Sequence, residues 1–352
     1  MLKLRLPALL AAAFAALVSV SSQAAQKDHF SVCWTIYAGW MPWEYAGSQG
    51  IVDKWAKKYG IQIDVVQLND YVESINQYTA GQFDGCTMTN MDALTIPAAG
   101  GVDSTALIVS DFSNGNDGIV GKTAKSLAEL KGASINLVEL SVSHYLLARA
   151  LDQAGLAEKD VTVVNTSDAD IVSVFSGTAD VQNVVTWNPL LSEVAAFPSS
   201  TELFNSSQIP GEIIDLMVVN TATLKDNPAL GKALTGAWFE VMALMKAGNT
   251  PAITHMAKAS GTTLADYQSQ LKTTALMFTP ADAVSFVTSP KLADTMKRVS
   301  KFSFDKKLLG DGAKSADAIG VAFPGGAVNG NAKNTKLRFD DTYLRLAADG
   351  KL

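Results

Sequence analysis

Apolar positions recur along the chain in two alternating patterns. Ser31–Tyr37, Ile61–Leu68, Phe83–Met88 and Ala106–Ser110 are short extended runs that predict strands, Ile61–Leu68 through its β-branched content. Between them, Pro42–Tyr59, Tyr71–Ala80 and Met91–Ala99 have the spacing of helices. Pro42 suits a first helical turn, where its missing N–H costs nothing, and Gly81 stops the second helix. The rhythm resumes beyond a polar loop, Asp111 to Asp117 (DFSNGND). It runs through an extended Ile119–Val120, a short helix Ser126–Lys131, strand Ala133–Val138, helix Ser141–Ala154, strand Val161–Val164, helix Asp168–Ser176 and strand Val181–Thr186. Trp187-Asn188-Pro189 opens another helix, and Ile213–Val219 is a further strand. This alternation predicts mostly parallel sheets covered by helices.

From Asn227 onward the pattern is helical: Pro228–Ala247, Pro251–Ala259, Leu264–Lys272, Ala281–Val287, Pro290–Lys301 and a closing Asp340–Ala348. Two α/β sets and a helical C-terminal portion predict a two-lobed α/β molecule. The expected crossings lie near Phe112–Gly118 and Asn220–Ala222. They make residues 25–111 and 222–352 one lobe and 112–221 the other. The Gly, Asn and Ser content of the first crossing suits a hinge. Ligands of open α/β sheets collect beyond the carboxyl ends of strands, which here can face a shared cleft.

With 352 residues, 48% apolar and 18% charged, the chain is neither disordered nor a coiled coil. Two cysteines and three histidines are too few for a disulfide scaffold or a Cys/His zinc module, and His29, His144 and His255 show no metal spacing. A formal charge of −6 argues against nucleic acid. Lys3 and Arg5, the apolar run Leu6–Val20 and the small residues of Ser22-Gln23-Ala24 read as a secretory signal peptide, residues 1–24. Its removal takes away two cations and no acid, so the formal charge becomes −8. An exported, periplasmic protein follows, in which Cys33 and Cys86 either form a disulfide or remain buried thiols.

Certain motifs carry a resemblance. They are Tyr37-Ala38-Gly39-Trp40-Met41-Pro42-Trp43-Glu44, Gly81-Gln82-Phe83-Asp84-Gly85, Ser143–Leu151 (SHYLLARAL), Gly177-Thr178-Ala179-Asp180 and Val185-Thr186-Trp187-Asn188-Pro189. In this order the chain resembles the periplasmic solute-binding proteins of ABC importers, in the nitrate/sulfonate/taurine group. The crossing Val109–Gly121 (VSDFSNGNDGIVG) is similar to the subgroup associated with urea carboxylase and guanidine utilisation. The resemblance implies a class II binding-protein fold, a small-molecule ligand, no cofactor, a monomer and a membrane permease as partner.

The charge pattern departs from what an anion needs. No Lys or Arg occurs from Val32 to Val52, from Asp84 to Gly121 or from Asp160 to Leu224, whereas the last two stretches hold five and eight acids. Such a field favours a cation or a neutral hydrogen-bond donor. Trp40 and Trp43 flank the first strand-to-helix loop, one expected to stack on ligand and one to pack. Glu44 lies in a first helical turn, where ligand contact and the helix dipole are competing reasons for an acid. Thr89 and Asn90 follow Phe83–Met88 and either cap the next helix or touch ligand, while Asp92 reads as a cap. Asp111 ends a strand at the crossing and is taken as a contact over a turn former. Glu139 faces cleft or solvent, and Ser141 caps a helix with ligand contact alongside. Trp187 is read as a cleft residue over a core one, and Asp215 is preferred to Glu212 at the return strand.

Guanidinium is therefore the expected ligand, with urea next and taurine, another sulfonate or nitrate after it. An enzyme on the same fold, like pyrimidine-synthesis proteins, is the rival. No G-x-S-x-G elbow, H-E-x-x-H motif or phosphate-cradling loop supports it.

Overall fold

Among the described residues the alternation of apolar runs produces fourteen strands in two sheets. The computed structural model describes residues 27–352, so the signal peptide read at 1–24 lies outside the described residues. In chain order the strands are β1 (His29–Thr35), β2 (Gln62–Leu68), β3 (Gly85–Thr89), β4 (Ser104–Ser113), β5 (Asp117–Gly121), β6 (Ser134–Leu137) and β7 (Thr162–Asn165). They continue with β8 (Asn183–Trp187), β9 (Thr201–Asn205), β10 (Ile214–Asn220), β11 (Thr274–Leu276), β12 (Gly320–Ala322), β13 (Val328–Asn329) and β14 (Thr335–Phe339).

The larger sheet runs β13-β12-β14-β4-β10-β3-β1-β2, with β11 on β4, and the smaller runs β7-β6-β8-β5-β9. Each sheet holds one strand inserted antiparallel between two others: β10 between β3 and β4, and β5 between β8 and β9. These are the strands the chain enters on arriving from the other lobe. Both sheets are therefore mixed, where strand–helix alternation predicts mostly parallel ones. Alternation reports local period and says nothing about the direction of a strand that follows a crossing.

Other expectations shift for stated reasons. The helix expected over Pro42–Tyr59 is two, Met41–Ser48 and Ile51–Lys58, separated at Gly50, whose φ of 68° ends one and starts the other. The chain leaves the larger sheet between Ser113 and Asp117 and returns between Asn205 and Ile214, ahead of β10 and not at 220–222. β10 is apolar and buried along most of its length, which predicts a strand without saying which sheet owns it. The C-terminal portion is not helical throughout, because β14 pairs in parallel with β4 and extends the larger sheet. Its buried Leu337 and Phe339 alternate with half-buried Lys336 and Arg338, a period of two.

β1 and β3 are neighbours with Cys33 level with Cys86, and the two form a disulfide across a Cα separation of 4.4 Å. The bond ties the first and third strands of the larger sheet over a sequence separation of 53 residues. Loop-closure entropy assigns a bridge of that span about 4 kcal/mol. The Cys33→Ala/Cys86→Ala variant is expected to lose about that much stability and to unfold at a lower temperature. Calorimetry of the oxidised protein beside the variant checks it, and equal melting temperatures would refute it.

Candidate functional site

The strand ends bring acids and aromatic rings to one place. Because β10 is inserted, Asp215 is level with Thr89 of β3 on one side and Asp111 of β4 on the other. In the smaller sheet, Asp117 starts β5 opposite Trp187, the last residue of β8. The resulting cavity is lined from the larger lobe by Tyr37, Trp40, Tyr71, Thr89 and Asp215, with Ile213 from the return segment. The smaller lobe contributes Asp117, Val142 and Trp187. Positions open to the centre of a water-sized sphere amount to about 20 Å³, so a guest has few heavy atoms. No Lys or Arg is among the lining residues.

The rings form a continuous wall. Tyr37 meets Trp40 edge-on at 5.1 Å, Trp40 lies 5.9 Å from Tyr71, and Tyr71 meets Trp187 of the other lobe at 5.5 Å. Each phenol is held by a buried carboxylate: Tyr37 donates to Asp111 (3.0 Å) and Tyr71 to Asp92 (2.6 Å). Thr89 also donates to Asp92 (2.8 Å) while capping its helix. Asp92 thus supports the wall from behind. Gly39 permits this packing, since a Cβ there would stand 2.5 Å from the Tyr37 ring and 2.7 Å from Asp111 Oδ2.

Burial dominates the titration of these acids. It pushes Asp117 up to about 7, with the charges of Asp111 and Asp92 adding to the effect. It raises Asp92 to about 6 against the opposing hydrogen bonds from Tyr71 and Thr89. Asp111 and Asp215 act as a pair. Burial raises both, and Asp215 is held well above the usual carboxylate range with Asp111 as the leading charge against it. The Oδ2 atoms of both are buried with no hydrogen-bond partner. The Trp40 indole N–H is also buried without an acceptor. Among the described residues no group of three or more His, Cys, Asp or Glu is arranged to hold a metal ion.

Of the residues singled out from sequence, Trp40, Thr89, Trp187 and Asp215 line the cavity, and Asp111 lies against Asp215 and Tyr37. Asn90 is one step removed. Its amide donates to the Glu212 carbonyl (3.1 Å) and accepts from the Ile214 N–H (3.0 Å), fixing the start of β10. Ser141 caps the helix Val142–Gln153, whose first residue lines the cavity.

The structure moves Trp43, Glu44 and Glu139 away from the cavity. Trp43 packs on Trp238 at 5.1 Å, because the helix Met41–Ser48 turns it toward the long helix Pro228–Lys246. Glu44 pairs with His255 (2.9 Å), and Glu139 is exposed, with its N–H on Asn165. Tyr37, Tyr71, Asp117, Val142 and Ile213 were not among the candidates. Asp117 and Tyr37 had a signal, as an acid in a cation-free crossing and as the first residue of the YAGWMPWE motif. Tyr71, Val142 and Ile213 had none, since each reaches the cavity only through tertiary packing.

Residues 55–247 match the family model described as NMT1/THI5 like. A curated "Putative binding protein" of Brucella abortus (strain 2308) is 26% identical over 51% of this chain and 56% of its own length, so the chain spans little over half of the curated relatives it matches. The alkanesulfonate-binding protein SsuA of Xanthomonas axonopodis pv. citri, solved with MOPS, superposes with a TM-score of 0.67 at 16% identity. That match covers 82% of this chain and 96% of SsuA. The periplasmic nitrate-binding protein NrtA of Synechocystis PCC 6803 gives 0.57 at 13%, over 93% and 99% of the two chains. A DszB mutant solved in complex with biphenyl-2-sulfinic acid gives 0.54 at 13%, over 91% and 99%. The fold is thus the two-lobed α/β periplasmic-binding-protein fold.

Raised carboxyl values bind protons in the folded chain that the unfolded chain releases near about pH 4. Their contribution is full below that pH and is lost as pH rises through about 6 for Asp92 and about 7 for Asp117. The ligand-free protein is therefore expected to melt at a lower temperature at pH 7.5 than at pH 5. Asp117→Asn should flatten that slope. A melting temperature that climbs with pH over this range would contradict the reading.

Proposed function

Because the chain belongs to the NMT1/THI5-like family and closes an acidic, aromatic cavity between two lobes, we propose that it is the extracytoplasmic solute-binding protein of an ABC importer for a small nitrogen-rich cation, guanidinium foremost. The observation that carries the ligand is the lining itself: Asp117 and Asp215 with Asp111 behind, rings on the sides, and no cation. A planar cation over an indole gains about 0.5–2 kcal/mol. Each charge-assisted hydrogen bond to a carboxylate is worth roughly 1.5–3 kcal/mol. An oxyanion about 4 Å from one ionised carboxylate is instead repelled by about 4 kcal/mol at an effective dielectric constant of about 20. With its acids ionised this lining disfavours the sulfonate and nitrate ligands of the structural neighbours, which stand behind guanidinium and urea in this reading. In this reading the protein delivers its guest to a membrane permease and performs no chemistry on it.

One observation favours a second guest. The unpartnered Trp40 N–H would be satisfied by a carbonyl, which urea has and guanidinium lacks.

A thermal-shift series with low-millimolar guanidinium chloride, urea, taurine and nitrate separates these readings, since a ligand of the folded state alone raises its melting temperature. Guanidinium is expected to stabilise, and taurine and nitrate are not. Capturing a cation expels protons from the acids, so affinity should fall as pH drops below about 7, up to tenfold per pH unit for each proton released. A neutral guest shows the shallower slope, and an anion the opposite sign. Trp187→Ala and Asp111→Asn should each weaken guanidinium binding by about tenfold or more without unfolding the protein. Unchanged calorimetric affinity in both variants would remove this site from consideration.

A further inference from the structure

The two lobes also meet at the rim of the cleft, through residues that do not line the cavity. Glu212 lies on the return segment, 8% exposed, one residue before Ile213. From the smaller lobe, Tyr145 donates to its Oε2 (2.5 Å), and Arg149 reaches Oε2 through Nε (2.9 Å) and Oε1 through Nη2 (3.3 Å). From the larger lobe, Nε of Arg298 on the helix Pro290–Asp305 stands 3.5 Å from Oε1. Opposing guanidinium groups hold this carboxylate ionised despite its burial, and its titration is lowered overall.

The same helix makes further contacts across the gap. Lys306, just past its end, pairs with Glu158 of the smaller lobe. Glu158 also stands 3.3 Å from His144, and Phe302 packs edge-on against Tyr145 at 5.0 Å. The helix is itself anchored to the larger lobe by Asn329, which donates to the Ala293 carbonyl (2.7 Å).

We propose that Glu212 is the centre of a clasp, with Arg149 and Tyr145 on one lobe and Arg298 and Lys306 on the other, that holds the lobes together and sets how fast a guest leaves. These are positioning residues, since none of them lines the cavity. The clasp acts whatever the guest is, and so does not depend on guanidinium being the ligand. Its strength comes from several partly exposed pairs, each weak alone, that share one carboxylate and one helix.

The test is the double variant Arg298→Ala/Lys306→Ala, with Arg298→Lys/Lys306→Arg as the conservative partner. Spin labels at Lys131→Cys and Lys246→Cys, exposed positions on the two lobes, report the interlobe distance without any guest. The native sequence at the clasp should show a short-distance population that the double variant loses and the conservative variant keeps. In stopped-flow fluorescence, guanidinium should leave the double variant three- to tenfold faster. Identical distance distributions in the native and double-variant proteins, or no short-distance population in the native one, would overturn the clasp. A guanidinium signal missing from every variant would count against the ligand reading alone, because the distances still decide the clasp.

Discussion

Buried carboxylates with no cation among them constrain everything else in this molecule. Asp111, Asp117 and Asp215 meet in a space too small for bulk water to screen them. Ionised together they repel one another at several kcal/mol per pair when close and poorly screened. Burial raises the titration of all three, and under the proposed function a cation of suitable shape takes the place of their protons. Under that proposal, proton binding and guest binding are linked through the same few oxygens. The aromatic wall supplies the shape, because it offers faces and edges and leaves little room.

The topology explains why those acids can be there at all. In each sheet the strand that follows a crossing is slotted in antiparallel, so its first residues lie where its neighbours end. Asp117 begins one inserted strand and Asp215 is second in the other. The two lobes thus repeat one device, and the cleft lies between two copies of it. Tyr37 and Gly39 complete the floor, the glycine because nothing larger fits between the phenol and Asp111.

Much of this was legible in the amino-acid sequence, and the gaps have physical causes. Strand and helix periods gave the lobes, and the absence of Lys and Arg from long acidic stretches indicated the sign of the cavity. Trp187 and Asp215 could be chosen because each sits at a strand end facing the cleft. Glu44 could not be separated from them, because its salt bridge to His255 joins residues 211 positions apart. Trp40 and Trp43 could not be told apart for a related reason: one was expected to stack and one to pack, and only the packing of Trp43 on Trp238 decides which is core. The return crossing was misplaced because an apolar strand looks the same in either sheet.

The short connections that carry the chain from one lobe to the other have a mechanical consequence. In a rotation about such a pivot, an atom's travel grows with its distance from the axis. Asp117 stands at the exit of one connection and Asp215 just past the other, so both have short lever arms. In such a rotation the acidic floor would travel least and the outer parts of the lobes most, so the geometry of the floor depends little on how far the lobes are apart.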